Sequence, residues 1–225
     1  TNSCMVLPEA GFHDGLRALT RRYGALLILD ETHTQSSGLG GYARTHSLSP
    51  DLYVVGKCVA GGIPTAVWGM TDAVAARFAD YDTARPAGHS GMGTTLAGNP
   101  MQFVALEAAL SRVMTPRNFR RMERGAARLA LGLEAAIARH RLGWHVVRVG
   151  ARVEFICAPG PLRNGAEAAR AHAPQIESAL HLGLLNRGCL IAPFHNMMLV
   201  SPVTKRTQID RLIAAFDEIL AELIA

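Results

Sequence analysis

The chain has 225 residues, 49% of them hydrophobic and 18% charged, a composition that provides for a sizeable core, suits one large domain or one and a half, and argues against disorder. Its net charge of +5 comes from 21 arginines and only two lysines, spread along helical stretches rather than gathered in a basic run with interleaved aromatics, so no nucleic-acid partner is expected. Four scattered cysteines without a C-x-x-C pair argue against a disulfide frame or a zinc site, and no apolar stretch reaches membrane-spanning length, so the expectation is a cytoplasmic protein without a membrane partner.

In chain order, Phe12, Leu16, Leu19 and Tyr23 recur at helical spacing, and Gly24 supplies a stop. The run Ala25 to Leu29 is short, apolar and β-rich, which predicts a buried strand of a parallel sheet, and it ends in two carboxylates, Asp30 and Glu31. Thr34 to Pro50 is rich in Ser, Gly and Thr and reads as a long loop crossing the mouth of the sheet. A second apolar run, Leu52 to Val55, ends just before Lys57.

A lysine held in apolar surroundings has its ammonium form disfavoured, so its amine becomes a nucleophile toward carbonyls. A lysine at a strand end also snorkels its head to water, and Lys57 alone leaves both readings open. Ligands of open α/β sheets collect outside the carboxyl ends of strands, where Asp30 sits. An acid at one strand end and a lysine past the next is what a pyridoxal phosphate site needs: the lysine makes the imine and the carboxylate keeps the pyridine nitrogen protonated. The alternative is a buried salt bridge between two strand ends.

Gly61-Gly62-Ile63-Pro64 leads to a strand-like Thr65 to Met70 and a helix opened by Thr71 with Asp72 in its first turn. A loop over 80–98 precedes two helices, whose starts, Asn99-Pro100 and Thr115-Pro116, place a capping side chain before a proline at the first helical position. The Arg-rich stretch 117–141 reads as a long helix with one solvated face. Strands are then predicted over 144–149, 153–157, 189–193 and 197–200, with a helix over 175–187 and a final helix striped by Ile209, Leu212, Ile213, Phe216, Ile219, Leu220 and Leu223. The division expected is a sheet-and-helix part over 1–117 and a smaller α+β domain over 118–225.

Gly38-x-Gly40-x-x-Ala43 lies in the loop with no helix pattern opening on it, Gly56-Lys57 lacks the leading glycine and Ser/Thr of a P-loop, and no histidine stands in a metal-ligand spacing, so no metal is expected. What holds is the series Leu26-Leu27-Ile28-Leu29-Asp30-Glu31, Ser49-Pro50-Asp51-Leu52 leading to Gly56-Lys57, Gly61-Gly62-Ile63-Pro64, and Gly93-Thr94-Thr95-Leu96-Ala97-Gly98-Asn99-Pro100. In that order and spacing it resembles the class III aminotransferases, fold type I pyridoxal phosphate enzymes that include glutamate-1-semialdehyde aminomutase and the ω-transaminases.

The resemblance implies an α/β fold: part of the mostly parallel large-domain sheet with helices on both faces, plus a C-terminal α+β small domain. It implies pyridoxal 5'-phosphate as cofactor, Lys57 as the Schiff-base lysine and Asp30 as partner of the pyridine nitrogen. Thr95, with Thr94 beside it, is similar to the threonine that reaches the cofactor phosphate of the facing subunit, which implies a homodimer with shared sites. Two positions depart from the family's pattern: Thr32 stands where a valine usually packs on the ring face, and His33 where a Gln or Met is usual, placing His33 within reach of the ring oxygen. The family's chain is considerably longer, so the phosphate cup and ring-stacking aromatic are expected in an N-terminal part of the same enzyme. The activity implied is transfer of an amino group from an amine or amino acid to a keto acid or aldehyde. The alternatives are an aminomutase and, from another class, a non-catalytic truncated relic or structural subunit.

Overall fold

The computed structural model describes residues 1, 4–88, 92–93, 95–192 and 196–224. The chain forms two compact units, one of Ala10–Gln35 and Leu39–Thr115, the other of Thr1–Glu9, Ser36–Gly38 and Pro116–Ala225. Among the described residues no helix is long and apolar enough to cross a membrane.

In the first unit, helix α1 (Phe12–Arg22) leads through left-handed Gly24 to strand β1 (Ile28–Asp30). Strand β2 (Leu52–Val55) pairs parallel to β1, with Asp30 opposite Val54, and β3 (Val67–Met70) pairs antiparallel on the far side of β2. The expected burial of the first apolar run is not found: Leu26 is 47% and Ile28 59% exposed. With β1 at the sheet edge, one strand neighbour does not cover its side chains. Helix α3 (Asp72–Thr83) extends into the region expected as loop, and Thr71 precedes it without a side-chain capping bond. Asn99 does cap α4 (Pro100–Ala108), accepting from the Met101 N–H at 2.9 Å, and α4 runs on into a π-helical stretch, Ala109–Val113.

In the second unit, helix α5 (Pro116–Arg139) buries Phe119, Met122, Ala126, Leu129, Ala130, Leu133, Ala136 and Ile137, the i, i+3, i+4 stripe of an amphipathic helix. The stripe packs on Ile209, Phe216, Ile219 and Leu220 of α8 (Arg206–Ile224) and on Val153 and Phe155 of β5 (Arg152–Ile156), with the Phe155 and Phe216 rings 4.9 Å apart. A Cβ added at Gly132 would stand 2.3 Å from Ile213 Cδ1, so a glycine lets the two helices approach. The arginines take the solvated face, where Arg128 pairs with Asp210 at 2.5 Å and Arg139 with Asp217. Strand β5 lies between β4 (His145–Val149) and β6 (Met197–Leu199), both antiparallel to it, and α6 (Gly165–Ala171) and α7 (Pro174–Asn186) complete the unit. Residues 189–192 form no strand. They lie between left-handed Gly188 and Pro193, which has no N–H for a ladder, and Leu190 is 76% exposed.

Glu154, at 4% exposure in the middle of β5, accepts the Met5 N–H at 2.6 Å. Burial pushes its carboxyl up to about 7 from an ordinary 4.5, against the lowering effect of that N–H. Because the folded value lies above the unfolded one, its contribution to stability is complete below about pH 4.5 and is lost as pH rises through about 7, at up to about 1.4 kcal/mol per pH unit. Denaturant melts of wild type and Glu154→Gln should therefore diverge. Between pH 5 and 7.5 the wild type is expected to lose about 2 kcal/mol more than the variant, and parallel losses would contradict this.

Candidate active site

The ends of β1 and β2 are fixed by charge and hydrogen bonding rather than by apolar enclosure. Arg17 on α1 grips Asp51 with two nitrogens, at 2.5 and 2.8 Å, and Asp51 also accepts the Leu27 N–H at 2.8 Å. The guanidinium beside it, aided by that N–H, holds the Asp51 carboxyl down at about 2. The residue that opens β2 is thereby tied to the start of the β1 segment and to the helix before it.

Asp30 and Glu31 take opposite roles. Glu31 is fully buried and accepts the Tyr42 N–H at 2.7 Å, the Ala43 N–H at 2.5 Å and the Thr34 hydroxyl at 3.0 Å. Those two amides belong to the first turn of a short helix, α2 (Gly41–Thr45), and the loop expected over 34–50 also contains a 3₁₀ turn, Thr34–Ser37. These amides are part-buried, so leaving them without an acceptor costs up to about 1–3 kcal/mol each. Gly41 must be glycine: its φ is +75°, and a Cβ there would lie 2.4 Å from Glu31 Oε2. Glu31 organises this segment, and Asp30 alone of the pair is exposed.

Asp30 Oδ1 accepts the Thr32 N–H at 2.8 Å. The Thr32 hydroxyl and amide lower its carboxyl below the ordinary carboxylate range, with smaller help from the nearby His33 and Lys57, so Asp30 stays ionised through neutral pH. Thr32 is half-buried and lies beside Gly56, whose added Cβ would meet its methyl at 3.6 Å. Lys57 opens a 3₁₀ turn, Lys57–Ala60, with φ +51°, a left-handed backbone that residues with side chains seldom hold. Val55, Val59 and Ala60 around it are buried, but Lys57 itself is exposed, so of the two readings left open it takes the one in which the lysine head meets water. Its Nζ stands 2.7 Å from His33 Nε2.

Asp30, Thr32, His33 and Lys57 are thus brought together. Thr95 is exposed in a turn over 95–98 before α4, and Thr94 lies outside the described residues. Among the described residues no group of three or more His, Cys, Asp or Glu side chains is placed to hold a metal ion. An ionised carboxylate, a lysine amine, an imidazole and a hydroxyl at adjacent strand ends suit a carbonyl-bearing aromatic ligand with a basic ring nitrogen.

The aminotransferase class-III family matches residues 1–220. The chain belongs to this family. A glutamate-1-semialdehyde-aminomutase from Pseudomonas aeruginosa PAO1 superposes on this class-III chain with TM-score 0.94 and 48% identity, over 99% of the chain and 50% of the solved structure. A lysine-to-alanine variant of a glutamate-1-semialdehyde-aminomutase from the same organism has been solved in complex with PMP. An omega-transaminase from Sphaerobacter thermophilus superposes with TM-score 0.82 and 25% identity, over 96% of the chain and 49% of its own. A glutamate-1-semialdehyde 2,1-aminomutase from Thermomicrobium roseum is 35% identical over 99% of the chain and 50% of its own length. The chain therefore spans about half the length of the relatives it matches, and its fold is fold type I, as the sequence motifs imply.

Within this class-III frame, two contacts escape sequence reasoning. The Tyr53 hydroxyl donates to Gln35, and His33 meets Lys57, 24 residues away. The departure from the family's usual residue at position 33 is the one signal that pointed to it.

Proposed function

We propose that this chain supplies the catalytic lysine of a pyridoxal phosphate-dependent enzyme that moves an amino group from an amine or amino acid to a keto acid or aldehyde. The observation that carries the reading is the pairing of an ionised Asp30 at the end of β1 with Lys57 just past the end of the parallel β2, in a class-III chain. The donor set fits the cofactor. Asp30 is already held as a carboxylate by Thr32, and the Lys57 amine is exposed rather than sealed in the core.

When bound, pyridoxal phosphate supplies an aldehyde for an amine and an electron-withdrawing ring that stabilises negative charge at the substrate Cα. Toward it, Asp30 would keep a proton at the ring nitrogen, and Thr32 orients Asp30 through its N–H. Lys57 Nζ would hold the cofactor through its aldehyde carbon and, once displaced by the incoming amine, would be free to take the substrate Cα proton and return it to another carbon, as base and acid in turn. Thr95, with Thr94, would offer hydroxyl and backbone donors to the phosphate held by the facing subunit of a homodimer. The N-terminal part of the enzyme, matching the other half of its relatives, completes the substrate pocket, and the setting proposed is the cytoplasm, in keeping with four cysteines that form no disulfide.

A second reading, an aminomutase, is favoured by the 48% and 35% identities to glutamate-1-semialdehyde aminomutases. Keto-acid dependence separates the two. For a transaminase, the complete enzyme given one amino donor is expected to stop after one equivalent per site and to turn over continuously only when a keto acid is added. Sustained turnover of an amino aldehyde without any keto acid supports the aminomutase, and no turnover under either condition contradicts both.

A further inference from the structure

We propose that His33 is the base partner of Lys57: its neutral Nε2 takes the proton that the Lys57 ammonium must lose before the amine attacks a carbonyl. This rests on the reading of Lys57 above and assigns a new role to the residue beside it. The two nitrogens are 2.7 Å apart. An ammonium has three donors and no lone pair, so Nε2 can accept from it only when the ring proton sits on Nδ1, the tautomer this role requires. If both groups were protonated neither nitrogen would accept, and like charges would repel at that distance. The hydrogen bond therefore holds one proton for two basic sites.

Transfer along it breaks one N–H bond at Nζ and makes one at Nε2. The positive charge stays within the pair, and the lysine lone pair is released. Asp30 interacts electrostatically with both His33 and Lys57, so its negative charge accompanies the cation in either position. The left-handed backbone at Lys57 and the buried Val59 and Ala60 behind it fix the root of the lysine side chain. His33 follows Thr32, which is anchored to Asp30, so both partners of the proton transfer start from fixed backbone. His33 acts here through Lys57, as a positioning and proton-accepting residue.

The chain's two lysines make the test internal. Cleavage at arginine gives one peptide over 45–77 with Lys57 alone and another over 188–206 with Lys205 alone. The complete protein, cleared of carbonyl ligands by dialysis against hydroxylamine, is treated briefly with N-acetoxysuccinimide, and the ratio of Lys57 to Lys205 acetylation is read by mass spectrometry. His33→Gln keeps a hydrogen-bond acceptor but takes up no proton, and should lower the ratio by about a hundredfold, the low end of what a positioned base contributes. His33→Ala should lower it similarly, and free imidazole should restore the Ala variant without changing Lys205. A wild-type ratio in the Gln variant, or a folded Ala variant that imidazole does not rescue, would overturn the proposal. Acetylation needs no pyridoxal phosphate, so this result stands or falls separately from that of cofactor attachment at Lys57.

Discussion

An enzyme carrying Asp30→Asn is expected to lose about 10- to 100-fold in turnover while retaining pyridoxal phosphate within a few fold. Asparagine keeps the shape of the side chain, and its oxygen still accepts the Thr32 N–H. It loses the negative charge, and with it the whole charge-assisted bond that keeps the ring nitrogen protonated. Charge-assisted bonds contribute about 1.5–3 kcal/mol, roughly twice the neutral kind, and about 1.4 kcal/mol is tenfold in rate. The loss belongs to the step in which charge develops at the substrate Cα, whereas cofactor retention is shared with contacts to the phosphate. Single-turnover deprotonation of a Cα-deuterated donor, set beside cofactor retention by absorbance, separates the two. Near-normal deprotonation in the variant would leave Asp30 as a strand-end anion engaged only by Thr32, His33 and Lys57.

Mixing two inactive subunits is expected to create an active enzyme. If Thr95 serves the phosphate of the facing subunit, Lys57→Ala and Thr95→Ala are each weak or dead alone. In the heterodimer one site combines an intact Lys57 with an intact Thr95, and the other carries both lesions, so activity should recover toward about half of wild type by the symmetry of the pair. Cofactor should also stabilise the dimer, since a ligand bridging two subunits favours the assembled state by mass action. If heterodimers form and remain as inactive as their parents, Thr95 acts within its own subunit.

The strand ends that carry Asp30 and Lys57 were legible because each follows a short apolar run, and the two strands pair in parallel with Asp30 opposite Val54. The Arg-rich helix was legible for the same reason, its apolar stripe repeating at helical spacing. Burial was not. Leu26 and Ile28 have the hydropathy of core residues but stand at a sheet edge, and no local pattern reports what covers an edge. Helix α2 was also hidden, because the carboxylate that organises its first turn comes from Glu31, 11 and 12 residues upstream of the amides it accepts. The flanking sequence left Lys57 open between apolar surroundings and a solvated head; it is exposed beside His33, with a left-handed φ that a sequence does not announce outside glycine.

Attachment of pyridoxal phosphate to Lys57 is tested most directly by reductive trapping. The complete enzyme is incubated with pyridoxal phosphate, reduced with borohydride and cleaved at arginine, and the two lysine peptides are weighed. The expected result is a yellow protein before reduction and the added cofactor mass on the peptide over 45–77, which contains only Lys57. Label on the peptide over 188–206, which contains only Lys205, or on no lysine at all, would contradict it.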